Sequence, residues 1–66
     1  MKNRLKVARA EADLTQEDLA QRIGVSRQSI NAIETGRYVP STVLALKMAQ
    51  VFGKTVEELF LLEEDD

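Results

Sequence analysis

Residues 16–33 read Gln16-Glu17-Asp18-Leu19-Ala20-Gln21-Arg22-Ile23-Gly24-Val25-Ser26-Arg27-Gln28-Ser29-Ile30-Asn31-Ala32-Ile33. Leu19, Ala20 and Ile23 recur at helical spacing, as do Ile30 and Ile33. Gly24 is the residue best able to take the positive φ that ends a helix in a sharp turn. Ser26 follows two residues later as an N-cap for the next helix. Ala20 falls where two such helices cross, and its small side chain lets their backbones approach. The stretch therefore predicts two short helices folded about a tight turn, with apolar sites at Leu19, Ile23, Val25, Ile30 and Ile33 holding them together. This is the geometry of a helix-turn-helix, over about residues 16–35, in which the first helix braces and the second enters the major groove of DNA.

The flanking segments continue the pattern. A first helix is expected from about Asn3 to Ala12, carrying Leu5, Val7, Ala8 and Ala12, with Asp13 in the left-handed position after it. Thr15 is the N-cap of the bracing helix, and Glu17 and Asp18 place acids in its first turn, where the helix dipole favours them. The recognition helix ends at Gly36, and the loop Arg37-Tyr38-Val39-Pro40 follows. Ser41 caps a fourth helix with Leu44, Ala45, Met48, Ala49 and Phe52 on one face, stopped by Gly53. Thr55-Val56-Glu57-Glu58 is a capping box that opens a short fifth helix. Leu61 and Leu62 extend its apolar run into an acidic tail, residues 63–66. The expected architecture is all-α, a single compact five-helix domain over 1–66. There are no internal repeats and no linker.

A chain of 66 residues buries only about 60% of the surface its unfolded form exposes. It has no Cys and no His, which excludes disulfides, all but excludes a structural zinc and leaves helix packing and dimerisation as sources of stability. No cofactor and no metal are expected. No apolar run reaches membrane-spanning length, and Met1-Lys2-Asn3-Arg4 lacks the apolar stretch of a signal peptide. A cytoplasmic protein without a membrane role is expected.

The net charge of −2 argues at first against a nucleic-acid partner. Its distribution does not. Residues 1–54 hold all nine basic side chains and five acids, and residues 55–66 hold six acids and no base. The acidic end hides a basic body in the average, and is expected to lie away from the DNA.

Thr15-Gln16-Glu17-Asp18-Leu19-Ala20, Gly24-Val25-Ser26-Arg27-Gln28-Ser29-Ile30 and Ile33-Glu34-Thr35-Gly36-Arg37 resemble the Cro and phage-repressor type of helix-turn-helix domain, also known as the xenobiotic-response-element type. The resemblance covers roughly residues 3–60. It implies a lambda-repressor-like five-helix fold, a homodimer on a pseudo-palindromic double-stranded operator, and no catalysis. Asp13 stands where the family usually has Gly, and Phe60-Leu61-Leu62 extends beyond the minimal unit. Some small relatives use such an extension as a β-strand, so strand and helix both stand open there.

Arg27 and Gln28 open the recognition helix and are expected to read base edges, since Arg pairs bidentately with guanine and Gln with adenine. Asn31 and Ala32, one turn on, are base candidates with simple exposure as the alternative. Gln16, Ser29, Arg37 and Tyr38 are candidate phosphate contacts, Gln16 helped by a helix N-terminus. For Ser29 local capping is the alternative, and for Tyr38 packing of its ring. The resemblance pairs Arg9 with Glu34 as a partly buried ion pair that fixes the recognition helix and presents Arg9 to the DNA backbone. Val56, Leu59, Phe60, Leu61 and Leu62 exceed what one short helix buries and are expected at a dimer interface, with internal packing claiming Val56 or Leu59.

A transcriptional repressor acting by operator occlusion is the leading reading. An interaction module, such as an antitoxin or adaptor subunit, is the second, and net acidity favours it. An enzyme is third, because the chain offers no His, Cys or glycine-rich phosphate loop.

Overall fold

The computed structural model describes residues 1–66. Five helices and one small sheet follow in the order β1 (Lys2–Asn3), α1 (Leu5–Ala12), α2 (Gln16–Ile23), α3 (Arg27–Glu34), α4 (Thr42–Phe52), α5 (Val56–Leu59) and β2 (Phe60–Leu61). Local sequence starts and stops nearly every helix. The hydroxyls of Thr15, Ser26, Ser41 and Thr55 each accept the N–H of the third helical residue, satisfying donors the helix cannot. Thr55 and Glu58 form the reciprocal box expected of them, and Thr15 and Asp18 form another. The Thr15 and Thr55 backbone N–H groups hold the Asp18 and Glu58 carboxyls below the usual carboxylate range. Asp13 adopts φ 57° and ends α1 in the left-handed region, while Gly24 does the same for α2 at φ 76°.

Leu5, Leu19, Ile30, Ile33, Met48 and Leu59 are the largest fully buried side chains, so every helix sends one or two residues into a single core. Ala8, Ala20, Ile23, Ala45, Ala49 and Phe60 complete it, with Val25, Leu44, Phe52 and Val56 packed around them. Ala20 is closed off in the core, and its carbonyl accepts the N–H groups of Gly24 and Val25 at the turn. Val7 and Ala12 face outward instead.

Two expectations are corrected at the ends of the chain. The first helix begins at Leu5, not Asn3, because Lys2 and Asn3 are extended and pair antiparallel with Leu61 and Phe60. The Arg4 N–H donates to the Leu59 carbonyl at 2.8 Å and continues the tie. The apolar run after α5 is therefore a strand. It found its partner in a polar dipeptide that no pattern marks as β. The domain is mainly helical with a two-stranded sheet joining its ends. The second concerns the apolar cluster: Leu59 is fully buried within the chain, as internal packing was expected to claim it, while Phe60, 8% exposed, belongs to the core and also lines a groove beside α4. No helix is long and apolar enough to cross a membrane.

Candidate nucleic-acid interface

Helices α2 and α3 pack against each other and leave the outer side of α3 to solvent. Arg27, Gln28 and Asn31 are exposed there, while Ala32 is half-buried. The carbonyl of Ala32 accepts the backbone N–H groups of both Arg37 and Tyr38, at 2.9 and 3.2 Å. Thr35 Oγ1 donates to the Asn31 carbonyl at 2.9 Å. The loop after α3 is thus folded onto the last turn of the helix, and Arg37 and Tyr38 stand exposed beside it. Ser29 is half-buried, and its hydroxyl shares a 3.0 Å hydrogen bond with that of Ser26, which commits it to the start of α3.

Arg9 and Glu34 meet in a fork. Arg9 Nε donates to Glu34 Oε2 at 2.6 Å and Nη2 donates to Oε1 at 3.0 Å. Nη1 turns the other way and donates to the Leu14 carbonyl at 3.0 Å. The two side chains are only 15% and 7% exposed. The physical need is plain: Glu34 places a negative charge at the C-terminal end of α3, where the helix dipole is already negative. The paired guanidinium offsets both, and the bond to Glu34 raises the Arg9 pKa further above its ordinary value.

Gln16 joins the same group. Its Nε2 donates to Glu34 Oε1 at 3.1 Å and to Asn31 Oδ1 at 3.3 Å. The amide hydrogens expected for phosphate are thereby engaged inside the chain. What stays free at the start of α2 are the backbone N–H groups of Gln16 and Glu17, which have no partner.

One contributor escaped the sequence reading. Asn3 Nδ2 donates to the Ile33 carbonyl at 2.9 Å and approaches that of Glu34 at 3.5 Å, while its Oδ1 accepts the Leu5 N–H at 3.2 Å. One carboxamide thus ties β1, the start of α1 and the end of α3. An Asn just before a helix signals a cap, but nothing local says that its other end grips a helix thirty residues away.

The acidic tail is not remote from this surface. Glu63 shares a hollow with Thr35, Gly36, Asn3 and Glu34 at the end of α3. Glu63 and Asp66 each lie 3.2 Å from the Met1 ammonium group, whose pKa they raise, and Asp66 accepts the Glu63 N–H at 2.7 Å. Glu64 and Asp65 are exposed. No cluster of three or more acidic side chains is spaced to hold a metal ion.

A helix-turn-helix family model matches residues 5–59. An uncharacterised helix-turn-helix transcriptional regulator of Methanocaldococcus jannaschii is 56% identical over 66 residues, with both chains covered completely. Another, from Bacillus subtilis, is 47% identical over the same length and coverage. Among solved structures, the restriction-modification controller protein C.AhdI of Aeromonas hydrophila superposes with a TM-score of 0.77 at 34% identity, covering 85% of each chain. A hypothetical transcription factor from Neisseria gives 0.79 at 26% identity, covering 92% of this chain and 68% of that one.

Proposed function

The chain belongs to the Cro/C1-type helix-turn-helix family of DNA-binding transcriptional regulators, and from that premise we propose that it binds a pseudo-palindromic operator as a homodimer and represses by occluding it. The observation that carries this reading is α3 itself. It is anchored at both ends, by Ser26 and by Asn3 with Arg9 and Glu34, while Arg27, Gln28 and Asn31 are exposed on its outer side, Asn31 with its Oδ1 accepting from Gln16. Arg27 and Gln28 read base edges; Asn31 adds a third contact. Ala32, half-buried, offers at most its methyl group to a thymine methyl. Arg37, Tyr38, the Ser29 segment and the α2 N-terminus at Gln16 take phosphates, and Arg9 lends the hydrogens left over from its fork. No catalytic step and no cofactor enter this function, which is exercised in the cytoplasm.

Dimerisation suits a domain with this little core. Of the C-terminal cluster, Val56, Leu61 and Leu62 remain available, Leu62 at 83% exposure. The outside of α4 offers two further exposed apolar residues, Val43 and Leu46, at 61% and 53% exposure. Leu46 borders a shallow groove of about 190 Å³ with Met1, Pro40, Val56 and Phe60, whereas Leu61 lines a separate hollow beside Arg4 and Val7. Helices paired across this face are expected to set the two copies of α3 about 34 Å apart, one turn of DNA.

The test is titration with random duplex DNA over a salt series. Affinity is expected to fall steeply with salt. No binding at low salt, or a slope near zero, sinks the reading. Sedimentation at micromolar concentration is expected to show two chains, and one chain after Leu46→Glu. The alternative of a protein-interaction module gains support only if DNA binding is absent.

A further inference from the structure

We propose that Gln16, held by Glu34, fixes the direction of the Asn31 amide and so decides which operator strand carries the base that Asn31 reads. This rests on the reading of α3 as the base-contacting helix.

Three side chains, Glu34, Gln16 and Asn31, are linked in one fixed order of donor and acceptor. The Glu34 carboxylate, ionised beside Arg9, has only acceptors. The Gln16 group that lies 3.1 Å from Glu34 Oε1 is therefore its NH₂ end. One of its two hydrogens goes to Glu34, and the other points to Asn31, whose facing atom at 3.3 Å must accept. That atom is Oδ1. Turning the Asn31 amide over sets NH₂ against NH₂ and loses the bond. Asn31 Nδ2 has no partner in the chain and is turned away from Gln16.

An amide reads adenine by donating to N7 and accepting from the N6 amino group. Asn31 Oδ1 keeps a second lone pair for that amino group. A free amide exchanges its two ends by a half-turn about χ2, and then meets an adenine on either strand. The held amide presents acceptor and donor in one order only. Neither Glu34 nor Gln16 needs to touch a base. They act as positioning residues for one that does.

Selection of bound duplexes from a random pool tests this directly, using the full chain. For the wild type, one base pair in each half-site is expected to favour A·T over its reversal T·A by about tenfold or more. Asn31→Ala is expected to erase preference at that pair. Gln16→Met is expected to keep the preference for an A/T pair there while making the two orientations equal, with other positions unchanged. Glu34→Gln, whose side chain both donates and accepts, is expected to act the same way and provides a second route if Gln16→Met folds poorly. Uniform loss of affinity with the orientation preference intact in both variants overturns the assignment, as does an Asn31→Ala that changes no position. Failure of the wild type to bind any duplex sinks the DNA reading instead, which keeps the two outcomes apart.

Discussion

Replacing Arg9 with Met keeps most of the side-chain volume and removes the guanidinium from the fork. Glu34, only 7% exposed, then faces the core side of α3 with Gln16 as its sole remaining side-chain donor. Removing one partner of a buried pair costs about 3–5 kcal/mol. Arg9 retains some solvent contact and Gln16 still bonds to Glu34, so about 2–3 kcal/mol is expected here. A domain of this size has about 3–10 kcal/mol in total. The loss is therefore a large share of its stability and lowers the Tm by about 10–20 °C. Thermal unfolding followed by circular dichroism measures it. The effect is asymmetric. Glu34→Leu is milder, because a long, partly exposed Arg9 can turn its head to water. The double variant Arg9→Met with Glu34→Leu recovers much of what Arg9→Met loses, since no charge is left stranded. A Tm within about 2 °C of wild type for Arg9→Met, or a double variant no better than that single one, refutes the reasoning.

Three further outcomes are expected. Thr15→Ala removes the hydroxyl that accepts the Asp18 N–H and is expected to cost about 1 kcal/mol in chemical denaturation, with the slope unchanged. Leu19→Ala empties a fully buried site where α2 meets the core and is expected to cost about 2–5 kcal/mol, enough to leave an appreciable unfolded fraction at room temperature by circular dichroism. Stability is expected to decline at both ends of the pH scale. Asp18 and Glu58, with folded pKa values below their ordinary 3.8 and 4.5, contribute stability that is present above those values and lost as pH falls through the lower folded ones. The Met1 ammonium, raised above its ordinary 8.0, contributes stability that is full below that value and lost as pH rises through the folded one. Acetylating the Met1 nitrogen is expected to flatten the alkaline limb, and to weaken the part of the acid limb that comes from Asp66, whose carboxyl the ammonium helps to hold below its ordinary value, as read by Tm against pH.

What the sequence made legible were the local decisions. Caps at Thr15, Ser26, Ser41 and Thr55 and the left-handed stops at Asp13 and Gly24 are properties of a few adjacent residues, and the structure keeps them where they were expected. The spacing of Leu19, Ala20, Ile23, Ile30 and Ile33 was enough to orient α2 on α3. What was not legible depends on residues far apart in the chain. Lys2–Asn3 has no β signature and becomes a strand only because Phe60–Leu61 lies beside it. The burial of Phe60, taken from a surface role to a core one, follows from the same pairing. The bonds from Gln16 to Asn31 and Glu34 lie fifteen and eighteen positions apart. One of them ends on the same Glu34 carboxylate that Arg9 holds from α1.

The strand pair bears on the order in which the molecule assembles. The contacts within and between α2 and α3 are close in sequence and form early, whereas β1 meets β2 only after nearly sixty residues of chain have been drawn into a loop. Asn3 sits in β1 and holds the end of α3. During synthesis the recognition helix is therefore expected to gain its full tie through Asn3 only when residues 60 and 61 have emerged to pair with β1. A chain stalled before that point is expected to carry Arg27, Gln28 and Asn31 on a helix whose far end lacks the support of the paired β1.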